Sequence, residues 1–346
     1  TEPGRGAPAS INFVSCHDGF TLTDLTRYRS KHNEANGENN NDGSSVNHSA
    51  NFGVEGVTDD PDVIAAREQA AMNMIGMLLL SLGTPMMLAG DEFRNTQDGN
   101  NNAYCQDNDI TWLKWDWMYS TNKTREMRRL ETVSRLVALR KSLDLYHHED
   151  FFTRLTQLGL LKPSSRVQWF LPDGTTPMER DWFDLGVRSF TMRLLSNSEV
   201  DVCIVVNGTA DDRTFRLPPD THWTPKWCSA EINGRRAGHG TQVEECDLNG
   251  DTTVWTQHVP DASETVLKMV KEVAMQRTES STENEADTIK FAMPVTDHAA
   301  NGTSSAPRDE VSADMPDAPV DDTPDTPVDD NVWTMPALSI TLMKQV

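Results

Sequence analysis

Two short apolar runs in the amino-terminal part of the chain each end in ionisable side chains. Ile11–Cys16 leads directly into His17 and Asp18, and Thr84–Glu92 ends in the same way on an Asp-Glu pair. Short apolar runs bounded by turn residues are typical of buried strands. Because burying an ionisable group costs free energy, we expect the side chains at these strand ends to have partners or a task.

A helix is predicted between the two strands. Asp60 is a residue type that caps helices, Pro61 takes the first helical position, apolar residues continue to Leu82, and Gly83 follows the end. A strand, a helix and a second strand, with polar residues after each strand, are typical of a parallel β/α barrel. A second amphipathic helix is predicted over Thr124–Leu143.

The pattern changes near residue 167, where short runs separated by turn residues begin. These runs predict the strands of an all-β domain and are VQWFL, FTMRLL, VDVCIVVNG, TFRLPP and TTVWTQHV. The chain closes with WTMPALSITLMK, Trp333–Lys344, which alternates like one further strand.

The segment before that last strand has a different composition. Residues 278–331 are rich in Ser, Thr, Asp, Glu and Pro, and PVDDTPDTPVDD nearly repeats itself within them. Such a composition does not bury enough apolar surface to order itself. We therefore predict a disordered acidic insert ahead of the last strand.

The charge and the cysteines narrow the classes of function and location. The 346 residues carry a formal net charge of −22, which argues against nucleic acid or an anionic membrane as partner. The longest apolar stretch, around Met72–Leu82, is interrupted by polar residues and is predicted to be too short to span a bilayer. Five dispersed cysteines without a CxxC unit disfavour a structural zinc site and indicate a reducing compartment such as the cytoplasm.

The His17-Asp18 pair has two interpretations. Asp18 could simply accept backbone hydrogen bonds at the strand end. The functional interpretation gains from its position, since active sites of β/α barrels lie at the carboxyl ends of the strands.

Two Asn-rich loops, residues 31–51 and 97–109, follow the two predicted strands. Each asparagine alone suits a solvated turn, but amide side chains also offer the donors and acceptors that a polyhydroxyl ligand needs. The run ENNNDGS lacks the acidic twelfth residue of a calcium loop, which disfavours calcium. The aromatic cluster Trp112–Tyr119 could stack on sugar rings, although packing is the favoured interpretation.

Long motifs in this order resemble one family. FVSCHDGFTLTDL, KHNEANGENNNDG, LLLSLGTPMMLAGDEFRNTQDGNNNAYCQDNDITW and LVALRKS are similar to the glycogen debranching, isoamylase-like branch of the α-amylase family. The resemblance is dense from Ala9 to about Leu195. It implies the α/β plus all-β class, with the C-terminal part of a (β/α)8 TIM barrel followed by an antiparallel β-sandwich.

The resemblance also implies the domain boundaries. Residues 1–150 would contain barrel strands seven and eight, 151–277 the β-sandwich, 278–331 the acidic insert and 332–346 the last strand of the sandwich. The nucleophile and the acid/base glutamate of the family belong to barrel strands four and five, which would precede Thr1. We therefore expect a fragment that hydrolyses no glycosidic bond alone.

The activity implied is retaining hydrolysis of α-1,6 branch linkages in glycogen or limit dextrin. Asp18 would be the third, transition-state-stabilising carboxylate, with no metal and no cofactor. The partner would be a branched α-glucan, with neither nucleic acid nor membrane. The substrate-binding residues implied are His17, Asn33, Glu34, Asn36, Asp91, Glu92, Asn101 and Asn102, although for Asp91 and Glu92 the residues alone favour bracing of the loop.

Two rival functions remain open on the sequence alone. One is an α-1,4-acting or trehalose-related hydrolase of the α-amylase family, and the other is an α-glucan-binding module without catalysis.

Overall fold

A computed structural model describes residues 6–122, 124–146, 167–195, 201–219, 222–239, 242, 244–245, 331–336 and 339–345. Three predictions lie outside these residues. They are the strand at 252–259, residues 278–330 of the acidic insert, and the domain boundary near residue 150.

The structure confirms the two long helices that were predicted from their capping residues and apolar patterns. The helices are α1 (Leu22–Leu25), α2 (Pro61–Leu80) and α3 (Arg125–Ser142). The Asp60 side chain accepts from two backbone N–H groups of the first turn of α2, at 2.9 and 3.3 Å. Thr124 accepts from one in α3 at 3.2 Å. Each cap satisfies donors that the helix itself leaves free, which fixes where the helix begins.

The first two strands are parallel neighbours, as the strand–helix–strand order predicts, but they are shorter than predicted. β1 (Ile11–Asn12) pairs with β2 (Thr84–Pro85) in parallel register. The ladder closes with the Met86 N–H donating to the Asn12 carbonyl at 2.8 Å. Beyond the ladder, the Asp91 side chain accepts hydrogen bonds from the Ser15 hydroxyl and from the Leu22 N–H.

Antiparallel strands form the rest of the described chain. In chain order they are β3 (Val167–Phe170), β4 (Ser189–Leu194), β5 (Val202–Asn207), β6 (Arg213–Arg216), β7 (Trp223–Cys228), β8 (Arg235–Arg236), β9 (Gly238–His239), β10 (Glu244–Glu245), β11 (Val332–Met335) and β12 (Ser339–Gln345). A five-stranded sheet has the order β3-β4-β5-β12-β7, and a three-stranded sheet has the order β6-β11-β9. The short strands β8 and β10 pair with each other.

The single last strand predicted from WTMPALSITLMK is wrong. The segment forms two strands, β11 and β12, that belong to different sheets. Pro336 follows β11 and has no backbone N–H to continue a ladder. The Asn207 side chain holds this corner by donating to the carbonyls of Met335 and Pro336, at 3.2 and 3.0 Å.

The five-stranded sheet is buried on both faces. Ile204 and Leu342 face the helices, where they join a cluster with residues of α2 and α3. Cys203 and Met343, their neighbours in sequence, belong to a second cluster shared with the three-stranded sheet. Alternation along each strand places successive side chains on opposite faces. One apolar cluster therefore lies between the two sheets, and the other forms a continuous layer between the five-stranded sheet and the helices.

Helix α2 is the central element of that layer. A Cβ added at Gly76 would come within 2.8 Å of the Trp227 ring, so glycine permits the close approach of helix and sheet. By length and composition α2 is also the one helix of the described residues that could cross a membrane, which corrects the prediction that this stretch is too short. However, 61% of its apolar window is buried inside the structure, which is typical of a core helix.

Candidate functional site

The His17-Asp18 pair lies on an exposed turn just after β1. The two side chains are 86% and 80% exposed, and the His17 Nε2 lies 3.5 Å from the Asp18 Oδ2. Gly19 follows with φ of +97°, a left-handed conformation that favours glycine. Its N–H donates to the Asn101 carbonyl at 2.9 Å, which ties the turn to the second Asn-rich loop.

Asp91 fastens both ends of the segment that carries this pair. Its Oδ2 accepts from the Ser15 hydroxyl, and its Oδ1 accepts from the Leu22 N–H at 2.9 Å. The side chain is almost completely buried, and this burial raises the pKa of Asp91 to about 7. The geometry gives Asp91 a positioning role, while its predicted contact with sugar remains a prediction.

Glu92 has a similar local task. It is half-buried, and its Oε2 accepts from the Gly90 N–H at 2.8 Å. Burial raises the pKa of Glu92 above its ordinary value. Since Asp91 and Glu92 both brace the loop after β2, the structure shows the bracing that the residues alone favoured.

The two Asn-rich loops are joined by a reciprocal pair of hydrogen bonds. The Asn33 Nδ2 donates to the Asn101 Oδ1 at 2.9 Å, and the Asn101 N–H donates to the Asn33 Oδ1 at 3.0 Å. Both side chains are buried. These amides therefore hold the loops together, and direct contact with a glucan stays untested for them.

Asp42 is the centre of a second set of bridges and was missed by the sequence analysis. Its Oδ2 accepts from the Asn36 Nδ2 at 2.7 Å and from the Asn102 Nδ2 at 3.0 Å. The hydrogen bond from Asn36 is the main reason that the pKa of Asp42 lies below its ordinary value. An aspartate directly after three consecutive asparagines, Asn39–Asn41, is the signal that could have identified this acceptor. Glu34 is exposed on the same loop.

An open cleft of about 470 Å³ brings His17, Asp18 and Asn102 together. Its other walls come from the second Asn-rich loop and the aromatic segment, namely Gln97, Ala103, Tyr104, Thr111, Trp112, Leu113 and Trp115. The described structure does not place Asn33, Glu34, Asn36, Asp91, Glu92 or Asn101 in the cleft wall. Three of the predicted site residues therefore share one surface, and the others lie behind or beside it.

The aromatic segment divides into packed and exposed members. Trp115 and Trp117 pack on Phe93, with ring centroids 4.7 and 5.3 Å apart, which agrees with the favoured packing interpretation. Trp112 is 55% exposed and Tyr104 is 69% exposed, and both lie in the cleft wall. The Trp112 indole N–H donates to the Asp107 Oδ1 at 2.9 Å, which holds the ring in place. The sequence analysis did not single out Tyr104.

A buried ion network supports the helix that follows the site. The Glu68 carboxylate lies 2.8 Å from Arg129 and 2.8 Å from Arg94. Burial alone would raise the pKa of Glu68, but Arg129 and Arg94 outweigh it and hold that pKa below its ordinary value. The Arg129 Nη1 also donates to the Thr23 hydroxyl in α1 at 3.2 Å. Among the residues that the structure describes, no His, Cys, Asp and Glu side chains are grouped to hold a metal.

Comparisons with known proteins identify relatives over part of the chain. No family model matches it. A glycogen operon protein GlgX homolog of Mycobacterium tuberculosis is 44% identical over 193 residues, which cover 54% of this chain and 26% of that protein. A glycogen debranching enzyme of Pectobacterium atrosepticum is 38% identical over 242 residues, 69% of this chain and 34% of that enzyme. The chain thus spans about a quarter to a third of these relatives.

Solved structures give a weaker likeness. A pullulanase from Anoxybacillus sp. LM18-11, complexed with maltotetraose, superposes with a TM-score of 0.41 at 17% identity. That superposition covers 69% of this chain and 26% of the pullulanase. The value is too low to define a shared fold, so the site is argued from its own geometry.

Proposed function

We propose that the chain forms a substrate-binding wall in the active site of an α-1,6-glucan hydrolase. The proposal starts from the homology of the chain to part of the glycogen debranching enzymes. The substrate would be a branched α-glucan such as glycogen or limit dextrin. The matched relatives are much longer than this chain, so the activity is proposed for the complete protein.

The observation that carries this proposal is the composition of the cleft wall. His17 and Asp18 are exposed there, whereas the buried Asn33, Asn101 and Asp91 are occupied by hydrogen bonds within the chain. A carboxylate accepts hydrogen bonds from sugar hydroxyls, and an imidazole can donate or accept one. Such a wall suits a neutral ligand with many hydroxyl groups.

The exposed aromatic rings add an apolar contact to the same wall. Sugar rings present C–H faces that pack on aromatic side chains, and Trp combines a large apolar body with a polar edge. Trp112 and Tyr104 therefore offer stacking surface beside the polar pair. Together these groups would orient one glucose ring in the cleft.

We also propose the finer architecture that the resemblance implies. The parallel pair β1–β2, connected through α2, would be strands seven and eight of a (β/α)8 barrel. The two antiparallel sheets, which share an apolar cluster, would be the β-sandwich that follows. The His17-Asp18 pair lies on the segment that follows the carboxyl end of β1, which supports this arrangement, since barrel sites lie at the carboxyl ends of strands.

The proposed division of labour follows from the mechanism of retaining hydrolysis. Bond cleavage needs a nucleophile and a proton donor about 5–5.5 Å apart. The resemblance assigns both to barrel strands four and five rather than to strands seven and eight. Asp18 would instead hold the hydroxyls of the reacting ring, more tightly as the ring distorts towards the transition state. His17 would contact the same ring and limit its orientation.

Replacing Trp112 by Ala should weaken binding of a branched maltodextrin about fivefold, because loss of an aromatic stacking contact costs about 1 kcal/mol. Isothermal titration calorimetry with the complete protein measures this. Tyr119→Ala is the matched control, since Tyr119 is exposed on the same segment but lies outside the cleft wall. Equal affinity in the Trp112 variant and the wild type would remove Trp112 from the glucan site.

A further inference from the structure

A second cavity lies away from the glucan cleft and shares none of its residues. It has a volume of about 190 Å³ and lies between the end of α1, the segment before α2 and the first turn of α3. Four arginines line it, namely Arg27, Arg67, Arg94 and Arg125. In a chain with a net charge of −22, such a concentration of positive charge is unexpected.

The acidic residues at this cavity do not neutralise the arginines. Glu68 already pairs with Arg94 and with Arg129 of α3. Asp59 is an exposed carboxylate at the rim. The buried Arg67 guanidinium donates to backbone carbonyls, including those of Gly56 at 2.6 Å and Asn51 at 2.8 Å. Among the described residues it makes no ion pair, and the charge of Glu55 acts on it from farther away. Arg94 also pairs with Glu126 at 3.1 Å. Among the residues that line the cavity, four arginines thus stand against two carboxylates, Asp59 and Glu68.

Arg27 is the most informative of the four. Within the ranges that the structure describes, its guanidinium makes no hydrogen bond or ion pair. Burial, together with repulsion from Arg94, lowers the pKa of Arg27, and the attraction of Asp24 and Glu68 offsets only part of this effect. An anion in the cavity would remove both penalties, because it would supply a partner and separate the like charges.

The amino-terminal ends of two helices add to the positive field. Arg125 is the first residue of α3, and the cavity also contacts the first turn of α2. Helix amino termini carry a partial positive charge that favours anions. Asp60 and Asp62 at the start of α2 and Glu126 at the start of α3 offset part of this charge.

We propose that this cavity binds the phosphate group of a small phosphate monoester. Guanidinium groups present planar, paired donors that match phosphate oxygens. A volume of about 190 Å³ corresponds to roughly six water molecules, which is enough for a phosphate group with a small ester but small for a nucleotide. The site is separate from the glucan cleft, and it does not depend on the proposed hydrolysis.

The test is a calorimetric titration of the full chain with two probes, inorganic phosphate and a hexose 6-phosphate, at constant ionic strength set by sodium chloride. We expect saturable binding of at least one probe, and the tighter probe distinguishes a free ion from an ester. Arg27→Gln should weaken binding about tenfold or more, since a hydrogen bond to a charged group is lost. Arg125→Gln should weaken it as well.

Arg29→Gln is the matched control, because Arg29 is exposed two residues from Arg27 and does not line the cavity. Its affinity should stay within about twofold of wild type. Circular dichroism spectra verify that each variant is folded, and the exposed Arg125 provides an independent variant if Arg27→Gln is unstable. No saturable binding of either probe, or wild-type affinity in folded Arg27→Gln and Arg125→Gln proteins, would overturn the proposal.

Discussion

Replacing Asp18 by Asn should lower the turnover number of the complete protein on branched glucan by about a hundredfold or more. The amide has nearly the same shape as the carboxylate but lacks its charge and cannot accept two hydrogen bonds in the same way. Since Asp18 is 80% exposed in the cleft, the substitution should leave the fold intact.

Steady-state kinetics separate this role from simple binding. If Asp18 acts mainly in the transition state, kcat should fall more than KM rises. Asp116→Asn is the control, because Asp116 is an exposed aspartate outside the cleft wall and its loss should change kcat little. A turnover number near wild type in the Asp18 variant would reduce Asp18 to a cap at the end of the strand.

Replacing Asp91 by Asn should change how stability depends on pH. Burial raises the pKa of Asp91 from an ordinary value of 3.8 to about 7 in the folded chain, so the folded state binds the proton more tightly than the unfolded state. The stabilisation from this proton is complete below about pH 4 and is lost as the pH rises to about 7. The slope is at most about 1.4 kcal/mol per pH unit, so the change across the window is of the order of a few kcal/mol.

Urea unfolding at several pH values between 4 and 8 measures this dependence. Asp91→Asn cannot titrate, so its free energy of unfolding relative to wild type should rise with pH through the window. Asp98→Asn, which replaces an exposed aspartate of the following loop, is the control for the Asp-to-Asn substitution itself. A constant difference between the Asp91 variant and the wild type would show that Asp91 titrates alike in both states.

Local signals identified the helices. Asp60 and Thr124 bind backbone N–H groups within three residues of themselves, and the helices begin at the predicted positions. The apolar residues that recur along each helix then only have to pack one face of that helix against the core. Predictions that depend on neighbours in sequence were therefore the successful ones.

Strand ends and strand partners depend on distant residues, and there the predictions were less accurate. Strand β7 contains Pro225, which opposes Met343 next to a register shift at the edge of the sheet. Proline is tolerated at such irregular edge positions, but only the assembled sheet shows that the position is one. The division of the last strand into β11 and β12 likewise depends on the side chain of Asn207.

The candidate site shows the same limit. The sequence placed His17 and Asp18 after a strand, and the structure finds them on an exposed turn there. The sequence pattern alone did not distinguish the asparagines that brace the loops from those that line the cleft. The Asn33–Asn101 hydrogen bond joins residues 68 positions apart, and no local pattern records that partnership.

The most direct test of the central claim compares two substrates for the complete protein that contains this chain. Release of reducing ends is measured on a branched limit dextrin and on linear amylose, at equal concentrations of non-reducing ends. We expect release from the branched glucan and essentially none from the linear one, with the branched activity lost in Asp18→Asn. Comparable release from linear amylose, or saturable binding of the branched glucan without release, would contradict the proposed debranching function.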